Sequence, residues 1–289
     1  MTELLAYLLT GITVGFVYAL VGMGFTVIYN SSGIINFAQG EFVMAGGMLT
    51  VFLIAWGVPF LPAYLLAILL TALLGVLLWK LTDLSRESSQ VSLIILTLGY
   101  AIFLRGTAEV VFDKELHTLP PLLGDRSFHL FGTVLSAQAL LVILVSLAIV
   151  AGLWFFFRRT RLGKAMIAAS DNPEAARLMG INLSRILMLN FTLAAAIAAV
   201  GGILLTPITS TNYEVGIMLG LKGFAAAIVG GLSNPFGAVV GGLLLGIMET
   251  LVAGYFSSEY KDAVAFVIML AILFFRPGGI FNTSKAERV

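Results

Sequence analysis

The sequence predicts an all-α polytopic membrane protein of about nine transmembrane segments (8–10), some of them broken or re-entrant. Three observations carry this. The chain is 60% hydrophobic and 11% charged, whereas soluble domains carry about 25% charged residues. Its mean hydropathy is +1.04, and its apolar runs are continuous, without the period-2 alternation of a β-barrel. All eight prolines fall at borders or breaks between those runs. Cysteine is absent, which excludes disulfides, thiolate metal sites and cysteine nucleophiles. The net charge of +1 says little, because in a membrane protein the distribution of charge decides more than its sum.

Taken in order, the first apolar run covers residues 4–28, with Gly11 and Gly15 in GxxxG spacing. It follows Met1-Thr2-Glu3 with no basic stretch and is too long for a signal-peptide core, so it is expected to be an uncleaved first span. A polar break at Asn30-Ser31-Ser32-Gly33 leads to the second run, 34–56, which opens on the poorly lipid-compatible Asn36, Gln39, Gly40 and Glu41. The third run, 60–79, and the hydrophilic link 80–90 precede the fourth, 91–112, which carries Arg105 and Glu109. A loop holding both histidines, His117 and His129, separates it from the fifth, 134–157. After the basic loop 158–185 come the sixth run, 186–205, ended by Pro207, and two Gly-rich runs, 215–231 and 236–253, divided at Ser233-Asn234-Pro235. The ninth covers 262–275, followed by a polar tail. The second, seventh and eighth runs are the ones expected to be broken or re-entrant, because irregular backbone at membrane depth survives only where protein or water covers it. The whole chain, 1–289, reads as one transmembrane domain.

Basic loops face the cytoplasm. That places loop 158–185, Lys80 with Arg86, and the tail with Arg276, Lys285 and Arg288 inside, and the histidine loop and the N-terminus with Glu3 outside.

Several chemistries are excluded. No G-x-x-x-x-G-K-[ST] phosphate loop and no H-E-x-x-H occurs. Neither histidine lies in a span, and no Asp lies well inside one, which argues against an intramembrane Ser–His pair, metal site or aspartyl dyad. The chain is therefore expected not to be an enzyme, and neither a cofactor nor a metal site is expected in it. Charges at membrane depth are costly and point to function by default. Glu41, with Asn36 and Gln39, could line a path or bond between helices. Arg105 and Glu109, four residues apart on one helix face, could neutralise each other. Lys222 and Glu249 are further candidates for the path. Gly237, Gly241, Gly242 and Gly246 form successive GxxxG spacings, read as close helix contact rather than a hinge.

The basic loop holds six of the chain's 16 Lys and Arg residues, against Asp171 and Glu174. Part of it suits a helix lying on anionic headgroups. Directly after comes a second, short helix with both ends marked. Asp171 or Asn172 can cap it, Pro173 suits its first turn, and Glu174 lies near its positive end. Gly180 suits the left-handed residue that ends it. Ala175, Leu178 and Met179 share one face. Such an element on the water side is expected to be offered to a cytosolic partner.

Glu174-Ala175-Ala176 followed by Gly180 matches the EAA-x-x-x-G motif of permease subunits in ATP-binding-cassette (ABC) importers. Ile34-Ile35-Asn36-Phe37-Ala38-Gln39-Gly40-Glu41 resembles the G-I-I-N-F-A-H/Q-G-E stretch of the branched-chain amino-acid importer permeases. So do the opening span from Gly11 to Leu20, the loop from Leu162 to Asn182, and the segment from Lys222 to Leu232 with the glycines after it. The resemblance covers nearly the whole chain, in order, and is nearest to the shorter of the two permease types. The I-x-L-P stretch that follows the motif in other importers is absent: Asn190-Phe191-Thr192-Leu193 holds no proline.

The resemblance implies half of an importer channel in a prokaryotic inner membrane. Its implied partners are a second homologous permease, two cytosolic ATPases that use the ATP, an external substrate-binding protein and membrane lipid, with no nucleic acid. It also implies that Asp171, Asn172, Pro173, Glu174, Ala175, Ala176, Arg177, Leu178, Met179 and Gly180 form the ATPase-coupling element. Relatives that move urea, amides or other amino acids, and a stand-alone secondary transporter or channel, are the alternatives.

Overall fold

The structure is a computed structural model that describes residues 2–85, 88–124, 126–130 and 132–281. Arg86, Lys285 and Arg288, used above for orientation, lie outside the described residues. Each of the nine apolar runs coincides with a helix: α1 (Thr2–Ser32), α2 (Gln39–Ala55), α3 (Phe60–Leu84), α4 (Gln90–Phe112), α5 (Ala137–Arg159), α8 (Leu183–Thr209), α9 (Val215–Gly230), α10 (Pro235–Tyr255) and α11 (Lys261–Phe275). The basic loop contributes two more, α6 (Arg161–Asp171) and α7 (Pro173–Leu178). Among the described residues six helices, α1, α3, α4, α5, α8 and α10, are long and apolar enough to cross a membrane by length and composition. The chain is an all-α polytopic membrane protein.

Three expectations need correction in detail. The second run does not open as a helix: 33–38 is irregular, and α2 begins only at Gln39. Pro207 does not end its helix but sits inside the last turns of α8, which runs to Thr209. The start of the fifth run is the second strand of an antiparallel hairpin, β1 (Ser127–Leu130) with β2 (Thr133–Ser136), before Ser136 caps α5. Alternating Val134 and Leu135 point to opposite sides there, exposed and buried respectively.

Small residues set the packing. Gly242 and Gly246 on α10 face α1, where Gly15 and Gly11 leave room for the two backbones to meet. Gly237 and Gly241, one helix face away, meet α9 at Gly230 and Ala226. The glycine series is therefore a two-sided contact surface, because without Cβ atoms the helices gain dispersion contacts that lipid tails cannot replace. Lying in the middle, α2 packs against α8, α9 and α3. Opposite these interior faces, α3 presents Leu61, Leu65, Leu69, Leu73, Leu77 and Leu81 as an exposed stripe at i, i+4 spacing. That face suits lipid.

The two ends of the bundle differ. At one, the basic end, lie the C-terminus of α1, helices α6 and α7, the α9–α10 turn and residues 280–281, joined by hydrogen bonds from Ser170, Asn30 and Ile280. The other end is closed by the long loop after α4. There His117 exchanges backbone hydrogen bonds with Thr211 at 2.9 and 2.7 Å, and its ring lies 5.0 Å from that of Phe52. A hydrogen bond from the His117 ring, then one from the Glu115 backbone, holds the Asp113 carboxyl below its ordinary range. Glu109 likewise holds the Lys114 ammonium above its own.

Candidate functional site

Three groups of predicted residues occupy three separate places. The first is the start of α2. The chain leaves α1 at Gly33 and runs irregularly to Ala38, so its backbone groups need other partners. Asn36 Oδ1 accepts the Ala38 N–H at 3.1 Å, and Thr97 of α4 accepts the Phe37 N–H at 3.2 Å. The Gln39 amide donates to the Ala194 carbonyl at 3.0 Å, in space that Gly24 leaves by lacking a Cβ. Glu41, 2% exposed, pairs with Arg105 of α4. The predicted Arg105–Glu109 pairing on one helix face does not form. Arg105 reaches across to α2, and Glu109 pairs instead with Lys114 at 2.6 Å. The reason is burial: an interior carboxylate gains more from a cation than a half-exposed one that water already solvates. Asn36 Nδ2, Gln39 Oε1 and Glu41 Oε2 are buried with no hydrogen-bond partner.

The second place joins α1, α9, α10 and α11. Lys222, 5% exposed, donates to Glu249 at 2.7 Å and to Tyr18 at 3.2 Å, and pairs with Asp262 at 2.6 Å. Tyr18 donates to the second oxygen of Glu249 at 2.8 Å. The Lys222 ammonium also lies 5.4 Å from the centre of the Tyr18 ring, within cation–π range. No sequence pattern flagged Tyr18 or Asp262; each joins the group only through the tertiary fold.

The third place is the basic end. Thr160 caps α6, accepting from Gly163 at 2.9 Å, and Asn172, rather than Asp171, caps α7 by accepting from Ala175 at 3.0 Å. Gly180 ends α7 with a φ of +82°, a conformation other residues adopt at a cost. Met166, Ala169 and Ala176 are buried against Ile186 of α8, and this small apolar core fixes α6 and α7 to the bundle. Outward, Asp171, Asn172, Pro173, Glu174, Ala175 and Arg177 are all exposed. Leu178 is 89% exposed and Met179 83%. Two large apolar side chains at the tip of a capped, anchored helix form a compact knob with a carboxylate beside it.

The family described as "Branched-chain amino acid transport system / permease component" matches residues 7–273. The chain is 34% identical to the high-affinity branched-chain amino acid transport system permease protein BraD of Pseudomonas aeruginosa, over 99% of this chain and 98% of that one. It is 33% identical to the corresponding LivH protein of Escherichia coli, over 99% and 97%. Among solved structures, PsaBC from Streptococcus pneumoniae superimposes with a TM-score of 0.53 over 96% of this chain and 93% of that one, at 16% identity. At that identity the match speaks for the fold alone.

Proposed function

The chain belongs to the branched-chain amino acid transport system permease component family, and from that premise we propose that it forms half of the translocation path of an ATP-driven importer for branched-chain amino acids. Its proposed partners are a second homologous permease, two cytosolic ATPase subunits that bind and hydrolyse the ATP, and a substrate-binding protein on the far side. The observation that carries the coupling is the knob of Leu178 and Met179 on α7. Side chains of that size left in water gain roughly 1.5–3 kcal/mol each when buried, and a groove in an ATPase supplies that burial. Glu174 and Asp171 would meet basic groups at its rim. Hydrolysis then moves α7 as a rigid element and tilts the spans to which it is fixed.

The proposed location is a prokaryotic inner membrane with the basic end in the cytoplasm. Arg158, Arg159, Arg161, Lys164, Arg177 and Arg185 lie there, while Glu3 lies toward the other end. This puts the N-terminus outside and the C-terminus inside. It requires an odd number of crossings, nine if α2, α9 and α11 each cross. The 17 residues of α2 reach about 25 Å at 1.5 Å per residue, and irregular residues 33–38 supply the remainder of a core about 30 Å thick.

For the path we assign Asn36, Gln39 and Glu41. Their unpaired polar atoms are what a zwitterionic solute would meet when α2 shifts against α8 and α9. Lys222 and Glu249, in their separate place, are assigned to the framework around that path, since in this conformation each satisfies the other.

The test is co-purification of the tagged chain from its native membrane, wild type beside Glu174→Arg and beside Leu178→Asp with Met179→Asp. Two ATPases and a second permease are expected with the wild type, and the ATPases are expected to be lost from both variants while the second permease stays. A chain that purifies alone, and shows gradient-driven uptake in liposomes, would instead be a self-sufficient carrier. Uptake of leucine against urea or short amides by the reconstituted complex decides the substrate class.

A further inference from the structure

Between α6 and the ends of α1 and α10 lies a cavity of about 680 Å³, lined among others by Tyr29, Asn30, Phe157, Ile167, Ser170 and Phe236. Movement of α6 toward or away from α1 could be absorbed by that space without reaching α9 and α10. A polar chain crosses beside it. The Ser170 hydroxyl on α6 donates to the backbone carbonyl of Asn30 in the last turn of α1. That carbonyl has no helical partner of its own, being one of the final four of the helix. The Asn30 side-chain amide in turn donates to the Ser233 carbonyl at 3.0 Å.

Ser233 lies in the α9–α10 turn, and this turn is stiff. Gly231 holds a φ of +104°. Asn234 caps α10 by accepting from Phe236 at 3.0 Å and Gly237 at 3.1 Å. The chain after α11 adds hydrogen bonds from Ile280 to Val229 at 2.9 Å and from Phe281 to Gly230 at 3.2 Å. A push delivered to Ser233 therefore reaches α9, α10 and the end of α11 together.

We propose that Asn30 is a positioning residue for transport, passing the motion of the α6–α7 unit to the α9–α10 turn. The proposal rests on the reading of α7 as the ATPase-docking element. Asn30 touches neither solute nor nucleotide; it keeps two moving parts in register. Without its side-chain amide the ATPases still dock and hydrolyse ATP, and the stroke still reaches α8 through the apolar core of Met166, Ala169, Ala176 and Ile186, but its share for the α9–α10 turn is lost into the cavity.

The experiment uses the whole complex co-purified from the native membrane, reconstituted in proteoliposomes with its binding protein, and reads leucine taken up per ATP hydrolysed. Asn30→Ala is expected to retain its ATPases and hydrolysis within about twofold, and to lose roughly fivefold to tenfold in uptake per ATP, the factor one hydrogen bond carries. Ser170→Ala is expected to fall in the same direction, and Ser170→Thr, which keeps the hydroxyl, to recover most of the ratio. Ser170→Ala also decides the matter if Asn30→Ala fails to fold. An unchanged ratio in both variants overturns the relay. Loss of the ATPases from Asn30→Ala also overturns it, because Asn30 would then only support the docking surface. Failure of the docking reading itself would appear differently, as absence of ATPases from the wild-type preparation.

Discussion

Replacing Lys222 with methionine is expected to lower the unfolding midpoint of the detergent-solubilised protein by on the order of 10 °C, and adding Glu249→Gln to recover most of the loss. Lys222 and Glu249 are both nearly fully buried, and they face each other at 2.7 Å. Removing the ammonium leaves the Glu249 carboxylate in the interior with Tyr18 as its remaining donor at 2.8 Å. Breaking one side of a buried pair costs about 3–5 kcal/mol, whereas neutralising both sides is often close to neutral. Asp262 behaves differently. Its side chain is 41% exposed, so it can turn to water when Lys222 is gone, and Asp262→Asn alone is expected to be mild. Thermal melts followed by the monodisperse fraction separate the three variants. If the single Lys222→Met protein melts no lower than the double variant, the ion pair does not hold these helices together.

The helices were legible because a chain in lipid must satisfy its backbone internally, so each long apolar run has one available conformation. Each run holds a helix for that reason, and among the described residues six of these helices are long and apolar enough to cross a membrane. Helix α7 was legible because helix ends carry local chemistry: Asn172, Pro173, Glu174 and Gly180 act within one or two turns of themselves. What the sequence did not disclose is long-range. Glu41 meets Arg105 across 64 positions and Tyr18 meets Glu249 across 231. Only the local alternative, Arg105 with Glu109, can be read from spacing, and Lys114 displaces it by reaching back from the following loop. The irregular stretch before α2 had a signal in Asn36, whose side chain takes the Ala38 N–H where the helix is interrupted, and in Gln39, which bonds across to α8. The β1–β2 hairpin was missed because Val134 and Leu135, apolar neighbours of β2, read as the start of the apolar run that continues into α5.

Leucine at Gly46 is expected to abolish recovery of monodisperse protein, while leucine at Gly106 is expected to leave recovery near the wild-type level. Both are helical glycines, Gly46 between Ala45 and Gly47 and Gly106 between Arg105 and Thr107, and neither flank says how much room a side chain would have. The difference is what a side chain would meet. At Gly46 a Cβ would run into the backbone of Ala199 on α8, whereas at Gly106 nothing lies within 4 Å. Backbone cannot turn aside as a flexible side chain does, so α2 and α8 would have to separate. Overpacking a core by a few methylenes costs about 1–3 kcal/mol, and here the separation adds to it. Val43 and Gly202 meet in the same contact, and α2 carries Glu41 away from Arg105 as it moves. Size-exclusion profiles after detergent extraction, with the two variants expressed side by side, read the difference directly. Equal recovery would mean that α2 is not clamped between its neighbours. A well-folded Gly106→Leu protein that no longer retains the proposed second permease would place the exposed face of α4 in the proposed contact with it.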